Sequence, residues 1–221
     1  MRILVFGATG MVGQGVLREC LRDPEVKVAV TIGRAATGVR DPKLNEIVRI
    51  DLSAYAEIKD ELTGFDACFF CLGVSSSGMT EADYTHLTYD LTIAAGEVLS
   101  RLNPHMTFIY VSGAGTDSSE KGRSMWARVK GRTENALLRL PFSAYMFRPG
   151  MIEPLDGIKS KTPAYRVFYI VLKPLMPLLR RSLPKLVLST REIGRAMLNV
   201  AKHGYRKRIL EARDIRIVLS R

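Results

Sequence analysis

Three glycines at three-residue spacing, Gly7, Gly10 and Gly13, carry the clearest chemical signal in the chain. They follow an apolar run, Arg2-Ile3-Leu4-Val5-Phe6, and precede a helical stripe of Val16, Leu17, Cys20 and Leu21. A strand-to-helix turn stripped of side chains leaves backbone N–H groups and the positive end of the helix dipole facing outward, which suits a diphosphate. Gly7 then lets the chain reverse, Gly10 opens the backbone to the diphosphate, and Gly13 lets helix and strand approach. Ala8, Thr9, Met11 and Val12 complete the expected contact surface. The spacing predicts a dinucleotide cradle.

Further along, single residues fall where such a fold places chemistry. A second strand over residues 26–32 ends in Gly33-Arg34. An acid at this tip accepts from a free ribose 2′-hydroxyl, whereas an arginine accommodates a 2′-phosphate. The tip carries no acid, and Arg34 is backed by Arg40 and Lys43, so NADP(H) is expected over NAD(H). After a third strand over residues 45–50, Asp51 is placed to bond the adenine amine and Leu52 to pack on the ring. A fourth, continuously apolar strand over 66–72 reads as buried on both faces. Its end, Cys71, Leu72 and Gly73, leads into a Gly/Ser-rich loop where open α/β sheets bind ligands. Ser112 follows the fifth strand, residues 107–111, and can donate to a carbonyl oxygen in the crevice. On the next helix, residues 124–138, Trp126 and Lys130 are four apart and share one face.

The elements that must position these residues alternate between strand and helix periods. Residues 53–62 predict a helix capped by Ser53, with Tyr55, Ile58 and Leu62 inward. Residues 80–102 predict a long helical stretch, 143–147 a sixth strand, and 192–201 a last helix opened by Ser189-Thr190-Arg191-Glu192. The alternation gives an α/β fold, a Rossmann-like doubly wound parallel sheet with a small C-terminal helical part. We divide it as a dinucleotide-binding domain over 1–152 and a substrate or lid region over 153–221 within one compact unit. Residues 165–188 are apolar but broken by Pro174, Pro177 and Pro184 and salted with Arg166, Lys173, Arg180, Arg181 and Lys185. That is too interrupted for a spanning helix. A lid, a self-association surface or a basic amphipathic membrane contact are the readings of this stretch.

Bulk composition narrows the classes. With 221 residues, 47% of them hydrophobic, the chain builds one sizeable core. Cys20, Cys68 and Cys71 all lie in apolar segments, and the C-x-x-C pair lacks a second ligand pair, so no metal site is expected. His86 lacks matched ligands and receives no catalytic role. The chain starts directly in a core strand, leaving no room for a signal peptide, and a reducing, cytoplasmic setting is expected. Of the partners that a net charge of +11 invites, nucleic acid is not expected, because the basic residues do not interleave with aromatics. A small-molecule substrate, a peripheral membrane contact through the basic apolar tail and a homodimer are the partner expectations.

Taken together, the glycine turn, Arg34, Ser112 and Lys130 resemble an atypical short-chain dehydrogenase/reductase. The chain is similar in particular to NAD(P)-binding proteins of the NAD-dependent epimerase/dehydratase class, including the Tat-interacting-protein-like group. The resemblance covers most of residues 1–152. It implies that Ser112 is the strand-end serine and Lys130 the active-site lysine that holds the ribose hydroxyls. The Arg148-Pro149-Gly150 turn also matches, and Arg148 and Pro149 are counted with the cofactor-binding residues. One departure stands out: the family's catalytic tyrosine precedes the lysine by four positions, and here Trp126 holds that place. An indole N–H donates a hydrogen bond but does not titrate usefully, so it cannot serve as general acid or base. The resemblance implies an NADP(H)-dependent oxidoreductase acting on a small carbonyl compound, with Ser112, Lys130 and Trp126 at its reacting end. Two alternatives stand beside it: an NADP(H)-sensing protein with little or no turnover, and a sugar-nucleotide epimerase.

Overall fold

The computed structural model describes residues 1–158 and 187–220. Seven strands form one parallel sheet in the order β3-β2-β1-β4-β5-β6-β9. These are β1 (Arg2–Phe6), β2 (Val28–Gly33), β3 (Leu44–Val48), β4 (Ala67–Phe70), β5 (Thr107–Val111), β6 (Ser143–Arg148) and β9 (Ile209–Glu211). The chain runs outward from β1 through β2 to β3, then returns to place β4 on the other side of β1. That reversal opens a crevice beyond the C-terminal ends of β1 and β4, the place where doubly wound sheets bind ligands. The fold is Rossmann-like.

Alternation along β1 explains the two layers. Ile3 and Val5 point to one core with Val16, Leu17 and Cys20 of α1 (Met11–Arg22). Leu4 and Phe6 point to the other, where Phe70, Phe108 and Met146 lie beneath the opposite helices. Those helices are α2 (Glu81–Thr85), α3 (Leu91–Leu102) and α4 (Met125–Leu137). The C-terminal residues close the first layer. α5 (Thr190–His203) starts at a capping box between Ser189 and Glu192 and packs along α1, and α6 (Ala212–Leu219) follows β9.

Several expectations need correction. Residues 53–62 form two short 3₁₀ turns, Ala56–Ile58 and Asp60–Leu62, rather than an α-helix. Tyr55, Ile58 and Leu62 are buried as expected. The third strand ends at Val48, and Ile50 is 93% exposed. Residues 80–102 are helical, but a π-turn at His86–Asp90 divides α2 from α3. The Arg148-Pro149-Gly150 turn leads into β7 (Met151–Glu153), which pairs with β8 (Val187–Ser189) in a separate two-stranded sheet. Of the tail stretch 165–188, residues 165–186 lie outside the described residues.

Candidate functional site

The glycine turn is as bare as its spacing demands. Gly7 has φ 73°, a left-handed conformation, and a Cβ there would lie 2.6 Å from the Leu72 nitrogen. A Cβ on Gly13 would lie 2.1 Å from the Gly7 carbonyl oxygen. Both positions therefore exclude any side chain, one against β4 and the other against the end of β1. The Gly10 N–H donates to Gly7 O at 2.9 Å and closes the turn. Gly10 is also the N-cap of α1 and supplies no side-chain cap, so the first amides of the helix face the crevice without a side-chain acceptor. Met11 and Val12 form that first turn.

Beside the turn lies a cavity of about 380 Å³ lined by Gly7, Ala8, Thr9, residues 31–35, Thr37, Leu52 and Leu72. Arg34 is among these lining residues, with an exposed side chain at the tip of β2. The Glu46 carboxylate on β3 accepts from the N–H of the lining residue Thr37 at 2.7 Å and so anchors the loop after Arg34. Asp51 does not line this cavity. Its carboxylate accepts from the N–H and hydroxyl of Ser53 at 2.8 and 2.6 Å, and these bonds hold it below the usual carboxylate range. Cys71 contributes backbone beneath Gly7, and burial pushes its thiol up to about 12. Gly73 follows at the start of the loop, with open space around its Cα.

Ser112, Trp126 and Lys130 form a second group at the end of β5, outside that cavity. β5 is two strands from β1, so the groups are roughly 10 Å apart at the strand spacing of a sheet. Trp126 lies against Gly115, where a Cβ would be 3.3 Å from its Cη2. Lys130 reaches back from the next turn of α4, and its Nζ donates to the Ser112 carbonyl oxygen. Burial pulls this amine down to about 8, with the nearby Glu134 charge opposing the shift.

A residue outside the expected set organises this end. Glu134 continues the Trp126–Lys130 face by four more positions and is completely buried. It accepts from Ser112 Oγ at 2.5 Å, from Arg148 Nε at 3.0 Å, and from Arg148 Nη2. Arg148 also bonds Ser118 Oγ at 2.6 Å and Glu211 at 3.2 Å. The Glu134 carboxylate bound to it raises the guanidinium further above its ordinary value. Two expectations fall here. The Ser112 hydroxyl gives its hydrogen to Glu134 and Arg148 is consumed by acids, so neither side chain points its donors into the crevice. Pro149 contributes only backbone, accepting from the Ala114 N–H at 2.8 Å.

Among the described residues, no group of three metal-ligating side chains comes together, and no helix is long and apolar enough to cross a membrane. Cys20 and Cys68 are buried, and burial raises both thiols.

A family model described as NAD(P)H-binding matches residues 7–141. The mitochondrial protein fmp52 of Emericella nidulans is 30% identical over 158 residues, 68% of this chain and 66% of that protein. FMP52 of Meyerozyma guilliermondii is 24% identical over 159 residues, 69% of this chain and 65% of that one. The match thus spans just under two thirds of these relatives' own length. The cytoplasmic expectation is overturned by these relatives, each of which is named a mitochondrial protein. Among solved structures, a UDP-N-acetylglucosamine 4-epimerase from Methanobrevibacter ruminantium superposes with TM-score 0.71 at 14% identity, covering 95% of this chain and 75% of its own. A short-chain dehydrogenase/reductase family oxidoreductase from Burkholderia thailandensis gives 0.70 at 16%, covering 96% and 91%. WbmG from Bordetella bronchiseptica, solved with NAD, gives 0.69 at 13%, covering 100% and 77%. With its bare glycine turn inside the matched region, the chain belongs to the NAD(P)H-binding family, and it shares the fold of these solved structures.

Proposed function

We propose that the protein is an NADP(H)-dependent oxidoreductase that reduces a small carbonyl compound, with Trp126 standing where relatives of this fold carry a tyrosine. The observation that carries this is the cradle itself: Gly7 and Gly13 leave no room for a Cβ, and the cavity beside them ends at Arg34. The α1 amides hold the diphosphate, Arg34 faces the 2′-phosphate, and Leu52 packs on the adenine. The Ser112 and Lys130 end, two strands from the turn, would face the nicotinamide, and a bound dinucleotide would supply hydride there. The Ser112 carbonyl fixes the Lys130 amine, and Trp126 shields that end from water.

A second reading is favoured by one observation: the Ser112 hydroxyl is committed to Glu134 and Trp126 does not titrate. A nucleotide-sensing protein with little turnover fits those facts. Reduction of a carbonyl panel with NADPH, run on wild type and W126Y, separates the two. Turnover by wild type supports the enzyme. Turnover only after W126Y, worth about 10²–10⁴-fold for a restored acid, supports the sensor. We infer a mitochondrial setting from the relatives' names, tested by fractionation of cells expressing the tagged chain. Self-association and lipid contact are tested by sedimentation and by flotation with anionic vesicles.

A further inference from the structure

We propose that Lys130 is the proton donor of this protein: its Nζ, rather than a hydroxyl, protonates the substrate oxygen, an inference that rests on the carbonyl-reductase reading above. Elimination leads there first. Ser112 Oγ donates its one hydrogen to Glu134 Oε1 at 2.5 Å, with Phe147 O a longer alternative at 3.2 Å, so that hydrogen is taken within the protein. Tyr84 on α2 and Tyr110 on β5 are each 1% exposed, and burial drives the Tyr110 phenol well above its ordinary range. Tyr89 lies under the Arg132 guanidinium, 4.2 Å from ring centre to Cζ. Trp126 cannot release a proton at any useful pH.

Among the described residues, what is left at this end is an ammonium with donors to spare. Lys130 is half-buried, and among the described residues its one hydrogen-bond acceptor is the Ser112 carbonyl. The acid one turn away, Glu134, is already occupied by Arg148 and Ser112, so Lys130 makes no contact ion pair there. A desolvated ammonium without a bonded counter-charge gives up its proton readily. The backbone bond fixes one N–H and leaves two more to donate. As hydride reaches the carbonyl carbon from NADPH, the C=O π pair moves onto oxygen and takes a proton from the Lys130 ammonium. The products are an alcohol and NADP⁺, and the neutral amine recovers its proton from water.

The test reads Lys130 directly, in the full chain saturated with NADP⁺. Competitive trace acetylation across the neutral to alkaline range, resolved by peptide mass spectrometry, gives each lysine its own midpoint. We expect Lys130 near 8, against about 10.4 for surface lysines. Reductive capture of 4-nitrobenzaldehyde with cyanoborohydride is expected at Lys130 before any other lysine. K130Q, or K130R if K130Q melts early, is expected to lose carbonyl reduction by about 10²–10⁴-fold, a loss larger than its change in NADPH affinity read by titration of the same sample. A midpoint shared with the surface lysines, no capture at Lys130, or carbonyl reduction by both variants within about threefold of wild type overturns the proposal while leaving the oxidoreductase reading intact. Failure of wild type to bind NADPH removes that reading and the proposal together.

Discussion

Glu134 and Arg148 form a buried ion pair between α4 and β6, with two guanidinium nitrogens on the two carboxylate oxygens. Their residues are 0% and 8% exposed. The pair ties the helix that carries Trp126 and Lys130 to the strand ends that face the crevice. Removing one partner of such a pair leaves an uncompensated buried charge, at a cost of about 3–5 kcal/mol. R148M is therefore expected to lower stability by that order in urea unfolding. The double variant E134L/R148M is expected to recover much of the loss, and additive losses instead would show that the two do not act as a unit.

Gly13 sets the closeness of α1 to the end of β1. A Cβ 2.1 Å from the Gly7 carbonyl must push the helix away, and overpacking of this kind costs about 1–3 kcal/mol. G13A is expected to lower the melting temperature and to weaken NADPH by more than tenfold, roughly the loss of one good charge-assisted hydrogen bond. Thermal melting and a binding titration on the same sample check both effects.

Arg34 is expected to separate the two pyridine nucleotides. R34A is expected to weaken NADPH by about tenfold or more, the scale of a charge-assisted contact to the 2′-phosphate, while leaving NADH nearly unchanged. Equal losses for both nucleotides would remove the expected preference.

Lys130 leaves a signature in stability against pH. Its folded value near 8 lies below the ordinary 10.5. Below pH 8 both folded and unfolded chains hold the proton, and the folded state bears the full cost of burying an ammonium. Between 8 and 10.5 the unfolded chain binds more protons, so stability rises with pH, by at most about 1.4 kcal/mol per pH unit. Above that window the contribution is flat. Wild type minus K130Q, followed by urea unfolding at several pH values, is expected to show this rise, and a difference independent of pH would contradict it.

Much of the fold was legible because parallel strands buried on both faces read as unbroken apolar runs, as in Ala67–Phe70 and Thr107–Val111. The cradle was legible because only glycine fits positions 7 and 13, and the Ser189–Glu192 capping box announced α5. Other features depend on contacts that no local pattern encodes. β9 spans only Ile209–Glu211, too short to show a period, and becomes a strand by pairing with Met146–Arg148. Glu134 reads as a solvated helix charge until Arg148, fourteen residues on, is brought beneath it. Ser112 stands where the strand-end argument puts it, but the direction of its hydroxyl is decided by Glu134. Asp51 sits just outside the cavity because Ser53 turns its carboxylate back onto the chain.

The bare turn at Gly7 and Gly13 matters only if a pyridine dinucleotide lies on it. Titrating purified protein with NADPH and NADH while following the fluorescence of Trp126, the one tryptophan in the chain, measures this most directly. Saturable quenching by NADPH below about 1 mM, with NADH weaker, is the predicted result. A signal that responds to neither nucleotide, matched by no change in melting temperature, would contradict it.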